Sequence, residues 1–99
     1  VVAICPLTAT TTAMFNQDVF KMMKNDAIFI NVGRGGLCDQ NALIKALKSG
    51  EILAAGLDVT DPEPLPSDSE LHKLENCTVL PHIGSSTKAA RSRMFDMAI

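Results

Sequence analysis

The chain has 99 residues, 46% hydrophobic and 20% charged, a composition that suits one globular domain with a modest core and excludes disordered and collagen-like classes. A net charge of −2, with its 9 basic residues scattered, argues against a nucleic-acid surface, because phosphate contacts need grouped Lys and Arg. No apolar run approaches the ~20 residues of a membrane span, nothing in these residues reads as a secretion signal, and three cysteines (Cys5, Cys38, Cys77) without metal spacing read as reduced thiols of a cytoplasmic chain with no metal site.

Residues 1–5 are an apolar run stopped by Pro6, which predicts a buried strand. A Thr-rich loop follows over residues 8–12, and Asn16 is placed to cap a short helix in which Val19, Phe20, Met22 and Met23 gather on one side. Residues 27–32 predict a second strand, closed by Gly33. Asp39 caps the next helix, Leu43, Ala46 and Leu47 recur at helical spacing, and Ser49-Gly50 ends it. A third strand spans residues 53–59. Three prolines in residues 61–66 exclude regular structure there. A helical turn near residues 70–74 and a brief strand over residues 78–80 come next. Ser86 then caps a last helix carrying Ala90, Met94, Met97 and Ala98.

Strands that are apolar throughout are expected to be covered on both faces, and helices between them permit parallel pairing through right-handed crossovers. The expected fold is therefore α/β, part of a doubly wound parallel sheet. The chain begins without Met inside an apolar run and stops inside a helical pattern, so it reads as a piece of a longer protein. The methionines fall at helix spacings and read as packing, Cys5 and Cys77 as core thiols, and His72 as an exposed histidine.

In such a sheet, ligands bind beyond the carboxyl ends of the strands. Gly33-Arg34-Gly35-Gly36 follows the second strand, Asp58 and Asp61-Pro62-Glu63-Pro64 the third, and Pro81-His82-Ile83-Gly84-Ser85-Ser86 the fourth. Singly, each has a plain alternative: Arg34 an exposed loop charge, Glu63 a solvated turn residue, His82 a loop histidine, Asp58 a turn organiser. Together a cation, a carboxylate and an imidazole reach one edge. A guanidinium binds a carboxylate through two parallel hydrogen bonds. An imidazolium favoured by a nearby carboxylate can hand its proton to a carbonyl oxygen as that oxygen becomes an alkoxide. Arg34, His82 and Glu63 thus suit reduction of a 2-oxo acid, as anchor, acid and tuning group. The hydride must come from a cofactor, for which a nicotinamide is the natural donor. No GxGxxG fingerprint occurs in these residues. An anion site at Ser85 and Ser86, or a Ser nucleophile with His82 and Asp58, is a weaker use of the same segment.

Ile30-Asn31-Val32-Gly33-Arg34-Gly35, Ala55-Gly56-Leu57-Asp58-Val59, Asp61-Pro62-Glu63-Pro64 and Leu80-Pro81-His82-Ile83-Gly84-Ser85 resemble, in order and separation, the successive signatures of the D-isomer-specific 2-hydroxyacid dehydrogenases. Residues 56–66 are most similar to the branch that reduces glyoxylate and hydroxypyruvate. The resemblance implies a Rossmann-like domain of which residues 1–99 supply the C-terminal part, with the glycine-rich phosphate loop and the substrate domain outside these residues. It implies NADP or NAD as cofactor and a short 2-oxo acid as substrate, converted to the D-2-hydroxy acid.

By the same resemblance Arg34 holds the substrate carboxylate, His82 donates the proton, Glu63 pairs with His82, and Asp58 lies near nicotinamide and substrate. Pro6, Leu7, Val32, Gly33, Asp58, His82, Gly84 and Ser85 line the cofactor. Related formate dehydrogenases usually carry Gln where Glu63 stands. The resemblance further implies a homodimeric parent protein with no nucleic-acid or membrane partner. Dinucleotide-sensing corepressors of the same family retain Arg, Glu and His, so a non-catalytic binding protein is the alternative. The isolated 99 residues are expected to be inactive, with the first strand left as an uncovered edge.

Overall fold

The computed structural model describes residues 1–83, over which strands and helices alternate. Strand β1 (Val2–Ala3) is followed by helix α1 (Gln17–Met22), strand β2 (Ile28–Asn31), helix α2 (Gln40–Ser49), and strands β3 (Ala54–Leu57) and β4 (Cys77–Val79). Single 3-10 turns occupy Gly35–Leu37 and Glu70–Lys73. The sheet has the order β1-β2-β3-β4 and every pairing is parallel, with Val2 beside Ile30, Ile28 beside Ala54 and Ala55 beside Cys77. All four expected strands are present: the first three are shorter than their apolar runs, because a ladder needs a partner at each position, and the fourth keeps its expected length but begins one residue earlier, at Cys77. The final helix expected from Ser86, with Met94 and Met97, lies outside the described residues.

Local chemistry sets both helices. The Asn16 side chain accepts from Val19 N–H at 3.1 Å, and that of Asp39 accepts from Ala42 N–H at 3.2 Å, each satisfying an amide that the first turn leaves without a partner. Gly50 ends α2 at φ 77°, a left-handed conformation that suits a residue without Cβ. Along α2, Ala42, Leu43, Ala46 and Leu47 point inward and are buried. They join Phe20, Phe29, Leu37, Ile52, Leu57 and Leu71 in a core between the sheet and the two helices. Phe29 anchors it, with its ring centroid 4.9 Å from that of Phe15 and 5.4 Å, edge-on, from that of Phe20. Complete burial of such a ring contributes on the order of 2–3 kcal/mol, and each aromatic pair about 1 kcal/mol more.

Two expectations are corrected. Among the described residues the strands are covered on one face only: Ala3, Phe29, Asn31, Ala55 and Leu57 are buried, whereas Val2 (56%), Ile28 (47%), Ile30 (37%) and Val32 (45%) are exposed. The cause is the strand order. When each right-handed crossover advances one place in the same direction, α1 and α2 must land on the same side. Met22, expected to pack, is 78% exposed, because a six-residue helix offers few inward positions and Phe20 takes the buried one, while Met23 packs at the core margin. Met14 lies ahead of α1 and is also exposed. His72 is exposed, as expected. The three cysteines are free thiols. Cys38 is buried, and Cys5 and Cys77 are half-buried against the core. Burial pushes the Cys38 thiol up to about 12 and the Cys77 thiol up to about 11.

Candidate active site

Four loops leave the carboxyl ends of the strands at one edge of the sheet, each fastened by hydrogen bonds of its own. After β1, Thr11 Oγ1 donates to Pro6 O at 2.8 Å and accepts from Thr8 N–H at 2.7 Å, so the Thr-rich segment holds Pro6 and Leu7 in place. After β2, the carboxamide of Asn31 spans the next turn, accepting from Gly33 N–H at 3.1 Å and donating to Arg34 O at 3.0 Å. Arg34 is exposed, and its Nη1 donates to Gly33 O at 2.8 Å. The backbone at Gly35 then runs so close to Thr60 that a Cβ there would lie 2.0 Å from the Thr60 carbonyl carbon. Only glycine admits that approach.

After β3, Asp58 is buried, 6% exposed, and its Oδ1 accepts from Ile83 N–H at 2.7 Å. Thr60 Oγ1 donates to Pro62 O at 2.8 Å, and Asp61 N–H donates to Gln40 Oε1 at 2.7 Å, which ties the proline-rich loop to the start of α2. After β4, Leu80 N–H donates to Leu57 O at 2.7 Å, and the chain turns at His82 with φ 60°. For a residue with a Cβ this left-handed conformation costs about 1–2 kcal/mol. It is held through the side chain and through the next peptide, with His82 Nδ1 2.8 Å from Glu63 Oε1 and the Ile83 amide on Asp58.

The expected site residues therefore fall into three connected groups. Pro6, Leu7, Val32, Gly33 and Arg34 line a cleft of about 560 Å³. Leu7 and Arg34 also line an adjoining cleft of about 270 Å³, whose other walls include Gly35, Thr60 and Glu63. Glu63 in turn carries His82, and both side chains keep access to solvent at 39% and 42% exposure. Asp58 sits beneath the His82 loop. Gly84 and Ser85 lie outside the described residues.

The larger cleft fits one end of a dinucleotide. Leu7 and Val32 are exposed apolar surfaces against which a flat ring can lie. Three fastening residues, Asn31, Thr60 and Gln40, carry no role in the sequence reading. A single polar residue closing the apolar strand Ile28–Asn31 is the one local signal that could have marked Asn31.

Known proteins share this sequence and this fold. The sequence profile of the D-isomer specific 2-hydroxyacid dehydrogenase, NAD binding domain, matches residues 1–84. The human glyoxylate reductase/hydroxypyruvate reductase is 51% identical over 94 residues, covering 95% of this chain and 29% of the human protein. Among solved structures, NADPH-dependent glyoxylate/hydroxypyruvate reductase from Sinorhizobium meliloti, in complex with NADP and malonate, superposes with a TM-score of 0.89 at 38% identity. That match covers 97% of this chain and 30% of the other. D-lactate dehydrogenase with NAD+ from Lactobacillus jensenii superposes with a TM-score of 0.90 at 37% identity, over 98% of this chain and 33% of the other. The chain thus spans about a third of the length of these relatives.

Proposed function

The chain belongs to the D-isomer specific 2-hydroxyacid dehydrogenase family, and from that premise we propose that it supplies the chemical edge of an NAD(P)H-dependent reductase of short 2-oxo acids such as glyoxylate or hydroxypyruvate. The observation that carries this is the Glu63–His82 pair at 2.8 Å, whose Glu63 shares a cleft with Arg34. The names of the relatives at about 50% identity support the choice of substrate class. Residues outside these 99 would provide the phosphate cradle and the substrate domain.

Arg34 anchors the substrate carboxylate. Its guanidinium exchanges the single bond to Gly33 O for a bidentate, charge-assisted pair. His82 gives its proton to the substrate oxygen as the carbonyl carbon is reduced. Because Nδ1 is engaged by Glu63, Nε2 is the nitrogen that serves the substrate. Glu63, on Nδ1, fixes the direction of the ring. Asp58 holds the amide that follows His82 and so fixes where the ring begins. Pro6, Leu7, Val32 and Gly33 form the surface for the nicotinamide end of NADP or NAD, which when bound supplies the hydride. The family resemblance extends the proposal to a homodimeric parent protein, and the three free thiols suit a reducing cytoplasm.

The test is reduction of glyoxylate and hydroxypyruvate by the full-length protein, followed through the absorbance of NADPH. His82→Ala is expected to lower kcat by ~10²–10⁴-fold, the usual worth of a general acid. Arg34→Ala is expected to lower kcat/KM by about 10²-fold, the worth of two charge-assisted hydrogen bonds. Both variants are expected largely to keep their affinity for NADPH. If neither substitution slows turnover, the catalytic assignment fails and a binding-only protein remains.

A further inference from the structure

Among the described residues three polar side chains are buried, Asn31, Asp58 and Thr60, and each stands where a strand passes into a loop of the site. Asp58 and Thr60 fasten the His82 and Glu63 loops. Asn31 closes β2, a strand that is otherwise Ile28, Phe29 and Ile30, and it is 1% exposed. A buried amide at that position is unfavourable unless its atoms find partners, and here its oxygen and its nitrogen both do. The partners are not in the core. They are the amide of Gly33 and the carbonyl of Arg34, the peptide groups that enter and leave the Gly33–Arg34 turn. The Arg34 carbonyl also receives Leu37 N–H at 3.1 Å, so the clasp and the following 3-10 turn meet on one oxygen. Between these fixed points Arg34 is held extended, at φ −139° and ψ 146°.

We propose that Asn31 is a positioning residue for substrate binding: by clasping the backbone on both sides of Arg34, its carboxamide sets the direction from which the guanidinium meets the carboxylate of the oxo acid. This rests on Arg34 being the carboxylate anchor. Removing the carboxamide frees the Arg34 backbone to rotate while the Glu63–His82 pair, on other loops, keeps its own supports. The cost therefore falls on substrate binding and not on proton transfer.

The experiment uses the full-length protein, with glyoxylate and NADPH, and the variants Asn31→Ala, Asn31→Asp and Arg34→Ala, together with each Asn31 change in the Arg34→Ala background. Asn31→Asp is nearly the same size, keeps the acceptor for Gly33 N–H and replaces the donor to Arg34 O by an oxygen, so it remains informative if the alanine variant does not accumulate. Either Asn31 variant is expected to raise KM for glyoxylate about tenfold, the alanine by losing two ordinary hydrogen bonds and the aspartate by losing one and setting an oxygen against the Arg34 carbonyl, with kcat and NADPH affinity changed less than about threefold. In the Arg34→Ala background the same changes should cost less than about twofold, because the group they position is gone. Losses that multiply in the double variants, or that fall equally on kcat, KM and NADPH affinity, would show a general structural role and overturn the proposal. An Arg34→Ala protein with unchanged KM would overturn the anchor assignment itself and, with it, the role of Asn31.

Discussion

Replacing Gly35 by alanine tests whether direct backbone contact sets the Arg34 loop against the Glu63 loop. A Cβ at this position would lie 2.0 Å from the carbonyl carbon of Thr60, 2.1 Å from its oxygen and 2.6 Å from Asp61 N. Carbon atoms in comfortable contact stand about 3.5 Å apart, so the loops would have to separate by roughly 1.5 Å. All three obstructing atoms are backbone, and no rotamer change can absorb the clash. Forcing an extra methyl into a packed site costs about 1–3 kcal/mol, enough to lower the melting temperature by ~5–10 °C. The displacement also pulls on the 2.7 Å bond from Asp61 N–H to Gln40 and moves Arg34 relative to Glu63 and His82. A misplacement of ~1 Å can cost about 10²-fold in rate. Steady-state kinetics of the full-length protein should therefore show kcat/KM reduced by about 10²-fold, alongside the lower melting temperature. Gly50→Ala is the control. Its φ of 77° strains an alanine by about 1 kcal/mol, yet beyond its immediate chain neighbours no described atom lies within 4 Å of the new Cβ, and the site is elsewhere. That variant should melt earlier with unchanged kcat/KM. A Gly35→Ala protein that keeps more than about a third of kcat/KM would refute the contact argument.

Glu63→Gln preserves an acceptor for His82 Nδ1 but removes the negative charge, and kcat for glyoxylate reduction should fall by about tenfold or more with KM little changed. An unaltered kcat would show that the charge is irrelevant. Asp58→Ala leaves the Ile83 amide without its side-chain acceptor, and urea unfolding should register a loss of about 1–3 kcal/mol. For the thiols, burial raises Cys38 to about 12 and Cys77 to about 11, above the ~8.5 of an unfolded cysteine. Their contribution to stability is full below pH ~8.5 and is lost as pH rises through the folded values. Melting temperature should decline progressively in that alkaline window, and the Cys38→Ala, Cys77→Ala double variant should flatten the decline. Near neutral pH, Cys38 should resist iodoacetamide in the folded protein and react in urea.

What could be seen in the sequence followed from how local its physics is. Asn16, Asp39 and Gly50 act on amides and carbonyls a few residues away, so their roles as helix ends are visible without a fold. Arg34, Glu63 and His82 were visible because parallel strands bring their carboxyl ends to one edge, whatever the packing beneath. The supports of those residues were not visible. Gln40 and Asp61, or Asp58 and Ile83, meet only once the strands are in register, and no pattern of residue types announces the bond. Gly35 is unreadable for the same reason, since nothing nearby in sequence names Thr60 as the obstruction. The exposed face of the sheet escaped because periodicity records which residues are apolar, not the side on which crossovers land. The left-handed turn at His82 follows from two long-range contacts and has no local signature.

The strand order has a consequence for how this unit comes into being. Among the described residues each strand pairs with the next one made, joining residue 2 to 30, 28 to 54 and 55 to 77, so none of these ladders waits for a distant partner. Parallel sheets are usually slow to assemble because the loops between their strands are long to close. Here each closure is short and its entropic cost is set by a similar length of chain. As residues emerge during synthesis, every new strand finds an existing edge and every crossover helix finds a surface already begun by the one before it. Within these residues the reactive edge is completed last, since His82 can meet Glu63 only after β4 has docked on β3.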